Sequence, residues 1–515
     1  MLSKIKSAGI VGIEAYPLEV EVDLSQSQTF YFNLVGLPDG AVKESRDRVI
    51  SAMKNIGHFL GPKRITVNLA PADIKKEGAG LDLPIALGIL SASSNIKLER
   101  VNDTAVIGEL GLDGAVKSIP GVLCIALGMR EAKVKRLILP AENANEAAVV
   151  EGIDIYPVTN LEEAWKVLIG EEERTPHRVN VKELFSAARK YSIDFSDVKG
   201  QESAKRALEV ASAGGHNVLM IGPPGSGKTM LARRLPSILP ELSLEESIEI
   251  TKIHSISGLI PPAGGLIATR PFRSPHHTTS DIALIGGGSY PKPGEVSLSH
   301  LGVLFLDEMP EFKRGVLEVL RQPLEDGVVT ISRASSSLTF PARFILCGSM
   351  NPCPCGYRGH PNRSCNCSQI QIQRYISHLS GPLLDRIDIQ IEVPALPISN
   401  ITRAKQGEPS ADIRERANKA RQIQRVRYKN HQGIHSNAEL TPKLMREHCP
   451  LDQETAKLLE SAIDKFSLSA RAYDRILKVA RTIADLENSP HINSPHISEA
   501  INYRSLDRFK LIEEF

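Results

Sequence analysis

Gly222-Pro-Pro-Gly-Ser-Gly-Lys-Thr229 is the stretch from which the rest of the chain can be read. It fits G-x-x-x-x-G-K-[ST] and lies between an apolar run, NVLMI, and a helical pattern, TMLARRLPSIL. The chemistry needs that placement. Glycines let backbone N–H groups close around phosphate oxygens, and the N-terminus of the following helix adds positive potential. Gly222, Pro223, Pro224, Gly225, Ser226 and Gly227 form the cradle. Lys228 reaches the β- and γ-phosphates, and the Thr229 hydroxyl ligates Mg²⁺. The expectation is a nucleoside triphosphate bound to a parallel-sheet α/β domain.

Downstream, GVLFLDE reads as a buried strand ending in Asp307-Glu308. Asp307 suits the shell of Mg²⁺, and Glu308 can polarise an attacking water. Two adjacent acids point to hydrolysis of the nucleotide, since Glu308 otherwise has no task. A further strand, ARFILCGSMN, ends on Asn351, a polar residue placed to orient the same water.

The loop leaving that strand, NPCPCGYRGHPNRSCNCS, holds four of the seven cysteines: Cys353, Cys355, Cys365 and Cys367. Two Cys-x-Cys pairs can give four thiolates to one tetrahedral ion, with His360 as a spare ligand, although structural zinc sites more often space their cysteines C-x₂₋₄-C. Structural zinc is expected. Reduced thiols and a disulfide remain open, and an iron–sulfur cluster has no further support. The adjacent His276-His277 pair is expected in an exposed loop, because neighbours in sequence do not face one site.

The chain has 515 residues, 42% hydrophobic and 24% charged, with a net charge of +2. This is ordinary for a globular protein of two to four domains and excludes a polycation as a whole. No apolar run approaches the ~18 residues of a membrane span, and the start lacks a signal-peptide pattern, so a cytoplasmic location is expected. Short Val/Ile-rich strands alternate with helices over the first ~170 residues. Polar punctuation follows, then the phosphate-loop domain, and past Pro394 amphipathic helices take over. The expected division is 1–172, a linker at 173–194, an ATPase core at 195–396 and a helical lid at 397–515. Residues 403–429 carry nine Lys/Arg against three Asp/Glu, either a nucleic-acid surface or a solvated helix face.

From about Phe195 onward the chain resembles the AAA+ ATPases of the magnesium-chelatase-like group. Over its full length it resembles the ComM/YifB family. The resemblance rests on GPPGSGKT, LFLDE, GSMNPCPCG, GPLLDRIDI, RPFRSPHHTTSDIALIGGG and SARAYDRILKVARTIADL. It implies a homohexameric motor driven by ATP and Mg²⁺, acting on single-stranded or branched DNA in branch migration, recombination or competence. A protein-remodelling ATPase and a magnesium-chelatase subunit are the alternatives. By the same resemblance Arg386 matches an arginine finger acting on a neighbouring subunit, with an intrasubunit Arg–Asp pair to Asp385 or Asp388 as the competing role. Arg471 matches the sensor-2 arginine, and Asn351 matches sensor 1. An insertion at Ser255–Ser299 and a hairpin at Gly327–Phe340 match pore loops, making Arg333, Arg270 and Lys292 candidate DNA contacts.

The N-terminal motifs KKEGAGLDLPIALGIL and IGELGLDGAVKSIPGVL resemble the Lon-protease-type domain, of ribosomal S5-like α+β fold. The positions of its Ser-Lys dyad fall on Gly78 (or Ala79) and Leu123. Without a hydroxyl nucleophile or a lysine base, acyl transfer has no starting point. The domain is expected to be non-proteolytic.

Overall fold

The computed structural model describes the chain except residues 77, 95–100, 262–263, 289–290, 334–335, 361–362, 397–406, 432, 467 and 505–515, and the side chains of 333 and 336. It divides into two compact units: Met1–Arg189 with Leu244–Ala268, and Lys190–Ser243 with Thr269–Phe515.

The first unit is built on seven strands. They are β1 (Leu2–Val11), β2 (Glu14–Gln26), β3 (Tyr31–Val35), β4 (Lys63–Ala70), β5 (Thr104–Val106), β6 (Arg136–Pro140) and β7 (Asp154–Val158). They lie in the order β3-β4-β2-β1-β5-β6-β7. β1 and β2 pair antiparallel from Leu2 opposite Asp23 to Val11 opposite Glu14. β3 pairs parallel to β4, with Tyr31 opposite Arg64. Alternation sets the faces: Ile65, Val67 and Leu69 of β4 are buried, whereas Arg64 is exposed and Thr66 and Asn68 are half-buried on the other face. Helix α1 (Gly40–Asn55) starts at Asp39, whose carboxylate caps Val42 N. Helix α2 (Asp82–Ser94) is buried almost all round, which is why LPIALGIL carries no polar stripe. Its Asp82 is fully buried and held by Arg48 Nε at 2.6 Å.

The chain path departs here from the expected boundaries. The segment Leu244–Ala268, expected inside the ATPase core, belongs to the first unit. Its Ile248 and Leu266 pack with Leu123, Ile125 and Met129 of helix α3 (Val122–Glu131). Gly121 N donates to Ser255 O at 3.0 Å, and Ser255 Oγ donates to the buried Glu146. Part of the expected linker is also ordered: helix Val181–Ala188 lays Val181, Leu184 and Phe185 on the same cluster. Apolar spacing reports that a helix has a buried face but not which neighbour covers it.

The second unit carries a parallel sheet of β8 (Val218–Ile221), β9 (Phe272–Arg273), β10 (Val303–Leu306), β13 (Ile345–Met350) and β14 (Ile389–Glu392). Its order is β9-β10-β13-β8-β14. Between β10 and β13 in sequence, β11 (Val328–Arg333) and β12 (Ser336–Pro341) form the expected antiparallel hairpin. The helices Ser410–Arg427, Pro442–His448, Gln453–Lys465, Ala470–Leu486 and Ser494–Asn502 follow. Ile476, Ile483 and Ile497 from these helices join Val218, Phe305 and Ile389 in a single core. Core and lid, expected as separate domains, therefore bury their apolar faces together.

Much of the basic stretch is committed to this packing. Arg414 Nη1 donates to Ser237 O at 2.7 Å, and Arg416 is bonded to Glu209 and Glu408, each at 2.5 Å. Arg421 Nη1 donates to His435 O at 3.2 Å. These arginines are not a free nucleic-acid surface; residues 403–406 lie outside the described residues.

Candidate active site

The phosphate loop leaves β8, whose four residues are all buried. Gly225 and Gly227 turn it with φ of +76° and +94°, a region that glycine enters without steric cost. Gly227 then caps helix Lys228–Ile238, so the free N–H groups of its first turn face the loop. Lys228 is buried and curls back onto its own loop: Nζ donates to Gly222 O at 2.7 Å and Pro223 O at 2.9 Å. Nζ also reaches Asn351 Oδ1 at 3.4 Å. Burial holds this ammonium below the usual lysine value, opposed by Asp307 and Glu308. Ser226 Oγ is buried with no hydrogen-bond partner among the described residues. A buried hydroxyl left unmatched in a phosphate loop fits a bound triphosphate, because such groups are otherwise costly.

The two acids end β10. Thr229 Oγ1 donates to Asp307 Oδ2 at 2.8 Å, bringing together the two groups expected to hold Mg²⁺. Glu308 has an exposed side chain and a left-handed backbone, φ +50° and ψ +48°. That conformation is costly away from glycine and is held at sites where direction matters. It turns the carboxylate away from the strand into solvent. Asn351 is brought to Lys228 and thus to the same site as Asp307.

Three residues here escaped the sequence reading. Ser349 is fully buried on β13; its Oγ donates to Asp307 and accepts from Glu308 N at 3.2 Å, tying both acids to the neighbouring strand. Tyr375 OH accepts from Asn351 N at 3.4 Å, and burial pushes its phenol up to about 12. Gln201 Nε2 donates to Ser226 O at 3.2 Å and Pro394 O at 2.7 Å, fastening the loop to the end of β14. Ser349 lies two residues before Asn351, and parallel pairing with β10 is the signal that would have found it.

The thiol loop leans on the phosphate loop. At Gly356 an added Cβ would lie 2.7 Å from Pro224 Cδ, so only glycine permits the approach. The four Sγ atoms lie within 4.8 Å of one another. Cys353 is 3.4 Å from Cys355, and each is 3.6 Å from Cys365. A tetrahedron with Zn–S of about 2.3 Å needs S···S of about 3.8 Å, whereas a disulfide needs about 2.05 Å. The donor set fits one zinc and fits no disulfide. Burial pushes Cys353 up to about 12, whereas the Tyr357 backbone N–H holds the exposed Cys355 down to about 6.

Arg386 bonds neither Asp385 nor Asp388. It is paired with Glu325, and its Nη1 donates to Pro382 O at 2.5 Å. Burial, then the charges of Arg321 and Arg471, depress its pKa. Arg471 is not turned to Lys228: its side chain is 69% exposed, and Nη1 donates to Asp385 Oδ2 at 2.7 Å, beside Arg386. The candidate arginine finger and the candidate sensor-2 arginine thus share one face. Asn217, just before β8, donates from Nδ2 to Arg386 O and accepts at Oδ1 from Leu346 N, both at 2.8 Å. It couples the arginine segment to the roots of β8 and β13.

The candidate DNA contacts separate. Arg270 donates to the carbonyls of Pro240 at 2.5 Å and Leu301 at 2.7 Å, so its guanidinium is a structural clamp and is withdrawn. Lys292 is exposed. Arg333 ends β11, and its side chain lies outside the described residues. The rings of His276 and His277 do lie together, with centroids 4.0 Å apart, because the loop turns between them; His276 Nδ1 is bonded to Thr278 Oγ1. In the first unit, Gly78 faces open space and Leu123 is buried with its N–H on Glu146 Oε1, so neither dyad position holds a nucleophile or base.

Three family models match successive parts of the chain: subunit ChlI of Mg-chelatase at residues 20–143, magnesium chelatase subunit ChlI at 194–401 and its C-terminal region at 407–504. The chain is 45% identical to competence protein ComM of Haemophilus influenzae over 98% of both chains. It is 42% identical to YifB of Escherichia coli, again over 98% of both. Similarity to the magnesium-chelatase 38 kDa subunit of Rhodobacter capsulatus is 27% and covers 31% of this chain and 50% of that one.

Proposed function

This chain belongs to the ComM/YifB branch of the magnesium-chelatase-type AAA+ ATPases, and from that premise we propose that it is a homohexameric DNA motor in the cytoplasm, translocating or branch-migrating single-stranded or forked DNA at the expense of ATP. The observation that carries the reading is Glu308: an exposed carboxylate whose backbone N–H is held by Ser349, next in sequence to the Asp307 that pairs with Thr229 of the phosphate loop. Thr229 and Asp307 would hold Mg²⁺, which neutralises phosphate charge when bound. Glu308 accepts the proton of the attacking water, and Asn351 orients it. Arg386 and Arg471, on one face, would serve the nucleotide of the next subunit. Zinc on Cys353, Cys355, Cys365 and Cys367 would be structural and would brace the loop beside Pro224.

DNA as substrate draws support from the name of the Haemophilus relative, since competence is the uptake of DNA. Thr330, Ser332, Ser337 and Thr339 of the hairpin β11–β12 and Lys292 are exposed, as positions that track a backbone must be. The match to the Rhodobacter chelatase subunit is 27% identical over 31% of the chain, against 45% over 98% for the competence relative, which favours DNA over porphyrin metallation. Among the described residues no helix is long and apolar enough to cross a membrane. The test is steady-state ATPase at low salt with and without single-stranded, duplex and branched DNA. Stimulation is expected, and Arg333→Ala should reduce it while leaving the basal rate intact. A rate unchanged by every DNA would overturn the proposal and favour protein remodelling.

A further inference from the structure

Exposed aromatic rings are scarce in this protein. Among the described residues only four large ones are exposed, and three of them, Phe30 (37%), Tyr31 (49%) and Phe59 (77%), belong to the first unit. The topology gathers them. β3 is the outermost strand of its sheet and runs parallel to β4. Both strands therefore begin at the same end, which brings Phe30-Tyr31 to the loop carrying Phe59. Phe32 and Leu34 turn to the core, leaving Tyr31 and Val35 outward.

Acids are few at this end: the nearest on the adjoining strand, Asp23, lies opposite Thr66 and is paired with the Met1 ammonium. Residues 24–37 and 54–70 contain no Asp or Glu, and the second segment carries Lys54, Lys63 and Arg64. Lys63 and Arg64 make no ion pair among the described residues, and the Arg64 guanidinium lies 5.4 Å from the Tyr31 ring centroid. By contrast, Lys4 of β1 is matched by Glu19 and Glu21, and Lys135, just before β6, by Asp103. Exposed rings with unmatched cations beside them complement a partner that offers flat π-faces joined by negative charges.

We propose that this sheet edge is a stacking platform for single-stranded nucleic acid: Tyr31, Phe59 and Phe30 take bases, and Lys63 and Arg64 take the flanking phosphates. Such platforms are tolerant of sequence, because every base has a π-face. None of these residues is among those of the ATP site, so the platform acts in binding and not in turnover.

The test is fluorescence anisotropy on the full-length protein with a fluorescein-labelled single-stranded oligodeoxythymidine, across a salt series and with a non-hydrolysable ATP analogue present. Tyr31→Ala and Phe59→Ala should each weaken binding roughly fivefold to a hundredfold, the loss of one stacked base. Tyr31→Phe should bind as wild type, because stacking needs the ring and not the hydroxyl. Lys63→Ala with Arg64→Ala should flatten the salt slope by about 1.4, at about 0.7 per single-strand phosphate released. Basal ATPase and oligomeric mass should be unchanged throughout. Alanine variants that bind the oligonucleotide like wild type would overturn the proposal, as would a change of oligomeric mass, which would make the edge a subunit seam. Wild-type binding without ATPase stimulation would leave the platform standing and remove the motor. Stimulation with unaffected alanine variants would do the reverse.

Discussion

Glu308 stands at the end of β10 with its carboxylate in solvent and its backbone N–H on Ser349, so glutamine in its place changes charge and little else. Glu308→Gln should bind ATP normally, by equilibrium dialysis or a fluorescent analogue. It should turn over about 10²–10⁴-fold more slowly, the usual loss for one general base. Near-normal turnover would put the base elsewhere. The residues of this site that could be read from sequence are those whose chemistry is fixed by local spacing: Lys228 and Thr229 in one loop, Asp307 and Glu308 at one strand end. Ser349 and Gln201 could not be read that way, because their meaning comes from a neighbouring strand or from a segment distant in sequence. Arg386 is the intermediate case. Family resemblance singles it out, yet its partner Glu325 lies in a helix that no spacing connects to it.

Among the elements, the thiol loop couples to the ATP site through one contact, Gly356 against Pro224. Purified protein should carry about one zinc per chain by metal analysis. Cys365→Ser with Cys367→Ser should remove it. Hydrogen exchange should then rise in the loop, and the ATP affinity should fall while the sheet stays protected. Fresh, chelator-free protein without zinc would end this reading. Strands β8, β10 and β13 were legible because buried parallel strands are continuous Val/Ile/Leu runs, whereas the two-residue β9 carries too short a pattern to read. The hairpin was legible from its two β-rich runs with a short polar turn. Helix Leu244–Ile256 was not singled out in the sequence, and neither was its membership of the first unit. Its burial by α3 depends on residues more than a hundred positions upstream, such as Cys124, whose Sγ contacts Lys252 O.

For the whole molecule, the face shared by Arg386 and Arg471 gives a prediction about assembly. Arg386→Ala subunits and Lys228→Ala subunits should each hydrolyse ATP poorly alone. Mixed rings should recover part of the rate, because an intact Lys228 site can then meet an intact Arg386. Steady-state ATPase across mixing ratios measures this, and no recovery in verified mixed rings would make Arg386 an intrasubunit residue. A different consequence follows from the discontinuous first unit. Its last piece, Leu244–Ala268, comes after the whole phosphate loop in the chain. At roughly 5–20 residues per second, a ribosome needs on the order of 3–10 s to pass from residue 189 to residue 244. During that interval Leu123, Ile125 and Met129 wait without the helix that covers them. The nascent chain cannot finish its first half and then begin its second. By the time the N-terminal core can close, the nucleotide-binding loop is already made, and ATP is within reach of a protein that has not yet completed its own beginning.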